Sequence, residues 1–281
     1  MKRMFKCFAL LLAVMFLTAG VKAQAAPQIG IDFISRSVVA MGEGLASERA
    51  RTPAQKRLQA RKAAIAEAQR ALAEAVNKVA VEGGTNVADV ALESDYTRTR
   101  VSATLTGAVI IDEQWNPSDE TYTVYMQVPL DGVGGIAAAV MPRPSTPPVS
   151  FPTPKTTVPS PTAPSTTITV TATGGYTGVV IDCRGLGLNP VMSPVIKDNS
   201  GVKLYGHQNL DYDMVIRDGM ASYAHDMSQA SRAGSNPLVI KAERLDDHNA
   251  NPVLSVTDGN RMLLENNSAG FLSKTAVVFL Y

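Results

Sequence analysis

The chain has few of the residues that build common catalytic and metal sites. Its 281 residues include two cysteines, three histidines and one tryptophan. The histidines are His207, His225 and His248, and none lies three or four residues from another, so the usual zinc-binding spacings are missing. A metal site would require folding to bring all three together. We therefore expect solvated or core histidines, no metal and no cofactor.

A surplus of either charge is also missing. The chain has 26 lysines and arginines against 25 acidic residues, a formal net charge of +1. Proteins that bind nucleic acid show a clustered basic surface, which this balance does not indicate. We expect no nucleic-acid partner.

The first 26 residues carry the clearest pattern in the sequence. The positive start contains Lys2, Arg3 and Lys6. An apolar run from Phe8 to Leu17 follows, and Ala23, Ala25 and Ala26 form a small-residue cleavage site. This order is typical of a secretory signal peptide, here residues 1–25. The alternative is a membrane anchor, but the run is shorter than the roughly 20 residues of a spanning helix.

Cleavage after Ala25 changes what remains. The leader holds four of the basic residues and no acid, so 22 basic and 25 acidic residues remain, a net charge of −3. No second long apolar run follows, and we expect no integral membrane segment in the mature chain. Val21 stands where a lipid-modified protein would carry cysteine. Only Cys183 survives cleavage, which excludes an internal disulfide framework; a buried free thiol and an intermolecular disulfide are the two interpretations.

A proline-rich segment divides the mature chain. Residues 142–166 contain nine prolines, each of which removes a backbone donor and fixes φ. We predict a semi-rigid linker at 142–167 between two domains, at 26–141 and 168–281. A glycosylated stalk is the alternative interpretation.

The first domain combines one long helix with strands. Thr52-Pro53-Ala54-Gln55 predicts a capped helix start, and Gly83-Gly84 a stop after about Glu82. Leu58, Ile65, Leu72 and Val79 recur every seven residues, which allows a coiled coil. The alanines on the same face favour close packing on a sheet.

Alternating patterns predict the strands of that sheet. Residues 29–41 predict the first strand, which Gly42-Glu43-Gly44 breaks. Residues 101–111 and 122–130 alternate on both sides of a turn at Asn116–Asp119, which predicts an antiparallel hairpin. Trp115 at the end of this hairpin is expected to cover the edge of the core; stacking on a ligand is the alternative.

The second domain reads as a strand-rich module. We predict strands at 176–182, 191–196, 202–205, 237–242, 253–256 and 274–281, with a hairpin turn at 197–201. A helix capped at Thr257 or Asp258 is predicted to run to about Glu265. The fold class is therefore α+β, with a strand–long helix–β-hairpin unit followed by a mixed, strand-rich unit.

The segment that most resembles a catalytic motif lies after the first strand of the second domain. A strand that ends in Asp182 and a glycine-containing loop resembles the first metal loop of cell-wall amidases, which use Asp-x-Gly-His-Gly. Arg184-Gly185-Leu186-Gly187 stands in its place, without the histidine. Proline at 190 also rejects a dinucleotide-binding loop. Asp211 and Asp213 offer two carboxylates to a cation but are better explained as loop caps. We predict no catalytic, cofactor-binding or metal-binding residue.

Four stretches of the first domain carry a family resemblance. They are Val39–Gly44 (VAMGEG), Ala60–Ala68 (ARKAAIAEA), Leu105–Ile111 (LTGAVII) and Tyr122–Leu130 (YTVYMQVPL). Together they resemble the bacterial Lpp-twenty lipoprotein family and the N-terminal domain of flagellar assembly protein T, over roughly residues 30–135. The resemblance implies an exported, non-enzymatic protein of the cell envelope or the surroundings of the flagellar motor. The missing lipobox cysteine and the second domain depart from the small lipoprotein pattern.

We accordingly expect an exported protein of the periplasm or cell envelope, peripheral to the outer membrane, with a structural or assembly role. Its partners would be envelope or flagellar proteins that bind its surface, including the hairpin edge around Tyr122 to Leu130, and it could form oligomers. One alternative is a wall hydrolase that uses Asp182 and a histidine. The other is a peptidoglycan- or carbohydrate-binding module, with Tyr176, Tyr205, Tyr212 and Tyr223 as stacking candidates.

Overall fold

The first unit is an antiparallel sheet covered on one face by a long helix. The computed structural model describes residues 26–155, 157–159, 167–169 and 171–281. In chain order the elements of this unit are β1 (Gly30–Asp32), β2 (Ser37–Leu45), α1 (Pro53–Asn77), β3 (Ala80–Glu82), β4 (Thr85–Asn86), α2 (Val87–Glu93), α3 (Asp95–Thr106), β5 (Val109–Asn116), β6 (Thr121–Pro129) and α4 (Ile136–Val140). The sheet order is β1-β2-β6-β5, so β6 is an interior strand and β5 an edge. The predicted interaction edge at Tyr122 to Leu130 is therefore wrong, because β6 is paired on both sides.

Glycines in β2 and alanines in α1 bring this helix and the sheet into close contact. A Cβ on Gly42 would strike the backbone of Ala64 and Ala68, and one on Gly44 would strike the backbone of Ala60 and Ala64. The predicted strand break at Gly42-Glu43-Gly44 is wrong, because these residues continue β2 under the helix. The buried stripe of α1 recurs every four residues: Ala60, Ala64, Ala68, Leu72 and Val76. The expectation of packing on a sheet is confirmed, although Leu58 of the heptad series is exposed.

The start of α1 is as predicted, and its end is not. The Thr52 hydroxyl accepts a hydrogen bond from the Gln55 backbone N–H, and the Gln55 side chain accepts one from the Thr52 N–H, both at 3.2 Å. The helix ends at Asn77 instead of Glu82. Residues Ala80–Glu82 form β3, and Gly83-Gly84 makes the turn to β4.

Residues 101–106 were predicted as strand and are helical. Ser94 caps α3 by accepting a hydrogen bond from the Thr97 N–H at 3.2 Å. The buried residues of α3 are Thr97 and Val101, and Thr99 between them is exposed, which fits the helical period and not the strand period. Gly107 ends the helix, and β5 starts at Val109. The β5–β6 hairpin and the turn after Asn116 are as predicted.

The second unit contains two four-stranded sheets. After β7 (Thr157–Pro159) and β8 (Thr167–Thr169), which pair with each other, its elements are β9 (Gly178–Asp182), β10 (Ile196–Asp198), β11 (Lys203–Tyr205), α5 (Tyr212–Asp218), β12 (Ser222–Ala224), β13 (Pro237–Lys241), β14 (Arg244–Asp246), β15 (Asn251–Leu254), α6 (Val256–Ala269) and β16 (Val277–Leu280). One sheet, β12-β16-β9-β13, is entirely parallel; the other, β11-β10-β15-β14, is mixed.

Most predicted strands of this unit are present, and one cap is misplaced. The hairpin across residues 197–201 is confirmed as β10–β11, but residues 191–195 are not strand. The Ser255 hydroxyl, and neither Thr257 nor Asp258, caps α6 by accepting a hydrogen bond from the Asp258 N–H at 2.9 Å. The final strand is confirmed: every residue of β16 is buried, and the strand lies between β12 and β9.

The described part of the proline-rich segment packs along the second unit. The Val149 N–H donates to the Gln208 carbonyl at 2.7 Å, and the Phe151 ring stacks on Tyr205 with a centroid separation of 6.3 Å. The Lys155 N–H donates to the Asn260 side chain at 2.5 Å. Residues 142–155 thus form a strap over the second unit, which we call the proline strap.

The two units share one contiguous hydrophobic core. Arg36 pairs with Asp131 and donates to the Ala221 carbonyl at 2.7 Å. The Met192 N–H donates to the β3 carbonyl of Ala80 at 3.0 Å, so backbone hydrogen bonds also cross between the units. Within the described ranges, no helix combines the length and apolar character that a membrane crossing requires.

Candidate functional site

A cleft of about 650 Å³ opens where the two units meet. Its second-unit wall includes His225, directly after β12, and Tyr281, directly after β16. Both lie at the carboxyl end of the parallel sheet, the edge at which open α/β sheets usually bind ligands. The first unit contributes the end of β1 and the turn after it, so neither unit forms the cleft alone.

Asp32 supplies the carboxylate of the cleft. It ends β1, and its Oδ1 accepts a hydrogen bond from the Ile34 N–H at 2.7 Å. Partial burial alone would raise the pKa of this carboxyl, but hydrogen bonds from Ser35 and Ile34 and the nearby His225 outweigh it and hold the pKa below its usual value. Asp32 is therefore ionised at neutral pH. A carboxylate has about four lone-pair sites, so acceptor capacity remains for a ligand.

His225 and Tyr281 form an aromatic wall. Their ring centroids are 4.8 Å apart, with 39° between the planes. The Tyr281 ring also meets the buried Tyr223 edge-on, at 6.0 Å, which fixes its orientation. Burial and the Asp32 carboxylate raise the pKa of the Tyr281 phenol, so it keeps its proton and can donate. The backbone N–H of His225 donates to the Gln229 Oε1 at 2.8 Å.

The remaining lining is uncharged apart from one ammonium group. Gln28, Asn189 and Gln229 provide side-chain amides, and Lys78, which caps the C-terminus of α1, provides the ammonium. The described lining contains no serine, threonine or cysteine. This set of groups can bind a polar molecule through hydrogen bonds and ring contacts.

Asp182 and residues 183–188 after it do not line this cleft. Arg184 binds both carboxylate oxygens, with Nε to Oδ1 at 2.9 Å and Nη2 to Oδ2 at 2.7 Å. These hydrogen bonds from Arg184 outweigh partial burial and lower the pKa of Asp182. The carboxylate that resembled a metal ligand is thus used to hold its own loop.

The three histidines do not meet at one site. His207 lies in a 3-10 turn at His207–Asn209, His225 lines the cleft, and His248 lies in a left-handed turn after β14 with its Nδ1 3.5 Å from the Asp247 carboxylate. Over the residues that the structure covers, no three His, Cys, Asp or Glu side chains come close enough to hold a metal ion.

The paired aspartates also have structural partners. Asp211 caps α5 by accepting a hydrogen bond from the Met214 N–H at 2.9 Å. Asp213 pairs with Arg143 of the proline strap at 2.6 Å. The loop-capping interpretation thus holds for Asp211, and Asp213 holds the strap.

The tyrosines named as stacking candidates are buried or already in contact with an arginine. Tyr205 and Tyr223 are buried in the core, and Arg143 lies over the Tyr212 ring at 4.6 Å. The Tyr176 hydroxyl accepts a hydrogen bond from Arg261 at 3.1 Å. The ring that does face a cleft, Tyr281, was not among the candidates, because a C-terminal residue next to a core strand carries no motif.

Two further predicted residues have clear surroundings. Trp115 is half-buried against the core and lies 6.0 Å from the Tyr122 ring, as expected of a residue that covers the core edge. Cys183 is buried and free, and burial, with a smaller effect of Asp182, raises the pKa of its thiol to about 12. Of the cleavage-site residues, Ala23 and Ala25 lie outside the described residues, and Ala26 is the first described residue.

The open edge of the first sheet is the second candidate feature. Strand β5 pairs only with β6 among the described strands. Its residues Val109, Ile110 and Ile111 are 56%, 36% and 40% exposed. A bulge at Ile110–Asp112 interrupts the register, and Asp112 and Glu113 follow. An exposed strand edge of this length presents unpaired backbone groups to a partner.

The comparisons with known proteins concern the second unit. Residues 178–281 match the family model for the second domain of Treponema pallidum Tp0624. The match starts at β9 and includes the parallel sheet, His225 and Tyr281, whereas Asp32 lies outside it. No curated protein matches the chain.

Proposed function

We propose that this chain is an exported, non-enzymatic cell-envelope protein with a structural or assembly role, and that it works by binding other envelope proteins. The open edge of β5 carries the proposal. The leader at 1–25 supports export, and the resemblance of residues 30–135 to Lpp-twenty lipoproteins and to flagellar assembly protein T supports an envelope or flagellar setting. The partner's chemistry follows from β5.

The edge of β5 favours strand addition by an extended segment of another protein. The unpaired N–H and C=O groups of an edge strand supply affinity in this mode, and side chains supply specificity. Val109 and Ile111 offer apolar contacts. A second copy of the chain would bring its own Asp112 to the same edge, and like charges across paired strands are destabilising. Glu113 adds little to this repulsion, because it is paired with Arg61 of α1 at 2.8 Å. The partner is therefore a different chain, with apolar residues beside a lysine or arginine.

Site-specific crosslinking in the native envelope tests this edge. A photo-reactive residue at Ile111 is expected to capture a partner through an extended segment with a basic residue. Val239 of β13, an edge strand of the parallel sheet, is the matched control because it is also β-branched and 51% exposed. Asp112→Lys should abolish the crosslink, and Glu48→Lys, an exposed charge reversal in the loop before α1, should not.

Three results would contradict the proposed function. Equal capture from Ile111 and Val239, or capture that survives Asp112→Lys, contradicts binding at β5. At the level of the cell, deletion of the gene should impair swimming or detergent resistance. A deletion strain that swims normally and resists detergent normally contradicts the envelope or flagellar role.

A further inference from the structure

The cleft between the two units is not needed for binding at β5, and its lining points to a ligand of its own. We propose that it binds a neutral saccharide, about a disaccharide in size. The cleft volume of about 650 Å³ lies within the range of small-molecule sites.

The charges of the lining favour an uncharged ligand. An anion would meet the ionised Asp32, and a simple cation would meet Lys78. The Asp32 charge is moreover already shared with donors from Ile34 and Ser35, which weakens its pull on an ammonium group. A ligand without net charge meets neither repulsion.

The polar groups suit hydroxyls. Gln28, Asn189 and Gln229 carry side-chain amides, and Asp32 has acceptor capacity left. The Gln229 carbonyl already accepts from the His225 N–H and the Asn189 amide donates to the His248 carbonyl, both at 2.8 Å, which leaves a second Asn189 N–H and the Gln229 N–H groups to bind a ligand. A hydroxyl donates and accepts, so neighbouring hydroxyls on a sugar ring can bind several such groups at once. The Tyr281 phenol, which stays protonated, adds one more donor.

The aromatic wall suits the apolar side of a sugar. The rings of His225 and Tyr281 lie 4.8 Å apart with 39° between their planes, so each ring holds the other in place on the cleft wall. The ring CH groups of a saccharide can pack on such a surface and bury apolar area while the hydroxyls face the amides. Ile31 and Phe33 extend the apolar part of the lining on the first-unit side.

The test uses the mature chain and a series of disaccharides that differ in charge. Neutral probes are diacetylchitobiose, cellobiose and maltose; chitobiose is the cationic match of the first, and the N-acetylglucosamine–N-acetylmuramic acid disaccharide is anionic. Dialanine is the zwitterionic probe. Titration followed by NMR chemical shifts should show saturable binding of at least one neutral probe, with a Kd below about 10 mM. Its charged counterparts should bind at least about fivefold more weakly.

Variants decide whether binding occurs in the cleft. Asp32→Asn and His225→Ala should each raise the Kd about fivefold or more, since the first replaces a charged acceptor oxygen by an amide donor and the second removes a ring from the lining. His207→Ala is the matched control for His225, because His207 is exposed and outside the lining. Tyr96→Ala removes a ring that is 70% exposed on α3 and should change nothing. Thermal unfolding of each variant confirms that it is folded.

Three outcomes overturn the proposal. They are no saturable binding of any neutral probe, tighter binding of a charged or zwitterionic probe, and a Kd that does not change in Asp32→Asn and His225→Ala. Each result is independent of crosslinking at Ile111, so failure here leaves the proposed role of β5 unaffected.

Discussion

The contact between β2 and α1 predicts a large effect from a single methyl group. Gly42→Ala and Gly44→Ala each place a Cβ where the backbone of α1 already lies. At Gly42 the new atom would be 2.8 Å from the Ala68 Cα, and closer still to backbone atoms of Ala64 and Ala68. The main chain of a packed helix cannot rotate away as a side chain can, so the helix as a whole must move.

The loss in free energy of unfolding follows from the displacement of α1. Ordinary Cβ contacts begin at 3.4 Å, so α1 would have to retreat by about 1 Å. A gap of that size forfeits a quarter to a half of each dispersion contact along the stripe from Ala60 to Val76. Overpacking a core typically costs about 1–3 kcal/mol, and we expect about 3 kcal/mol here because backbone atoms are struck. For a chain of this size the midpoint of thermal unfolding should fall by about 6–12 °C.

Urea and thermal unfolding followed by circular dichroism measure the effect. Gly134→Ala is the control, because a Cβ there meets nothing within 4 Å and should change the free energy of unfolding by less than about 0.5 kcal/mol. Ala63→Gly should not rescue Gly44→Ala, since most of that clash is with backbone. If Gly42→Ala and Gly44→Ala are as stable as Gly134→Ala, or if Ala63→Gly restores stability, the helix is not seated on the strand as described.

Three further predictions concern polar groups. Glu265 is buried, and burial alone would raise its pKa, but hydrogen bonds from Thr173 and Gly174 lower it. Its stabilising effect is thus complete above the unfolded pKa, near 4.5, and is lost as pH falls through the native pKa. Glu265→Gln should cost about 2 kcal/mol at pH 7, and urea unfolding should show this deficit shrinking towards pH 3; a deficit independent of pH contradicts the assignment. Cys183, buried and with its thiol pKa raised to about 12, should react with iodoacetamide at pH 8 only when the chain unfolds; rapid alkylation of the native chain would show that it is accessible. Asp131→Asn leaves Arg36, which donates to the Ala221 carbonyl of the second unit, without its partner anion and should cost about 3 kcal/mol at pH 7 in urea unfolding. A loss under about 0.5 kcal/mol would mean that Asp131 does not position the Arg36 guanidinium.

Short sequence patterns correctly predicted those helix starts, strands and turns that are decided by residues next to each other in the chain. The Thr52–Gln55 cap, the alternation of β6 and the turn after Asn116 are all present, because each is decided within a few residues. The strand prediction for residues 101–106 is wrong because Val101 and Leu105, four residues apart, share one face of a helix as well as one face of a strand. The exposure of Thr99 and Ala103, which a strand would place on the same face as Val101, distinguishes the two periods.

Gly42 and Gly44 show a different limit. Glycine in a strand pattern usually indicates a break or a bulge. Local reasoning has no access to Ala64 of α1, which lies 20 residues after Gly44 in the chain. The alanines of α1 were the available signal, since small residues on both elements allow their backbones to approach. The family resemblance rested on these same residues, which are packing positions and carry no chemistry.

The cleft could not be predicted from the sequence. His225 and Tyr281 meet because they follow the neighbouring strands β12 and β16, and Asp32 meets them only because the two units pack together. No spacing connects them, and each has an ordinary local role, in a turn, after a short strand or at the end of β16. The sequence did indicate that the loop after Asp182 has no metal-binding histidine. The structure shows that the Asp182 carboxylate is paired with Arg184.

The shared core implies that the peptide link between the units is dispensable for holding them together. The proline strap belongs covalently to the first unit, yet it packs on the second through Val149 and Phe151. A protease site introduced between residues 160 and 166 should therefore yield two fragments that elute as one particle after cleavage. The same two fragments, synthesised separately and mixed, should reassemble into one particle. The chain could then be used as a split protein, in which assembly shows that both fragments are present.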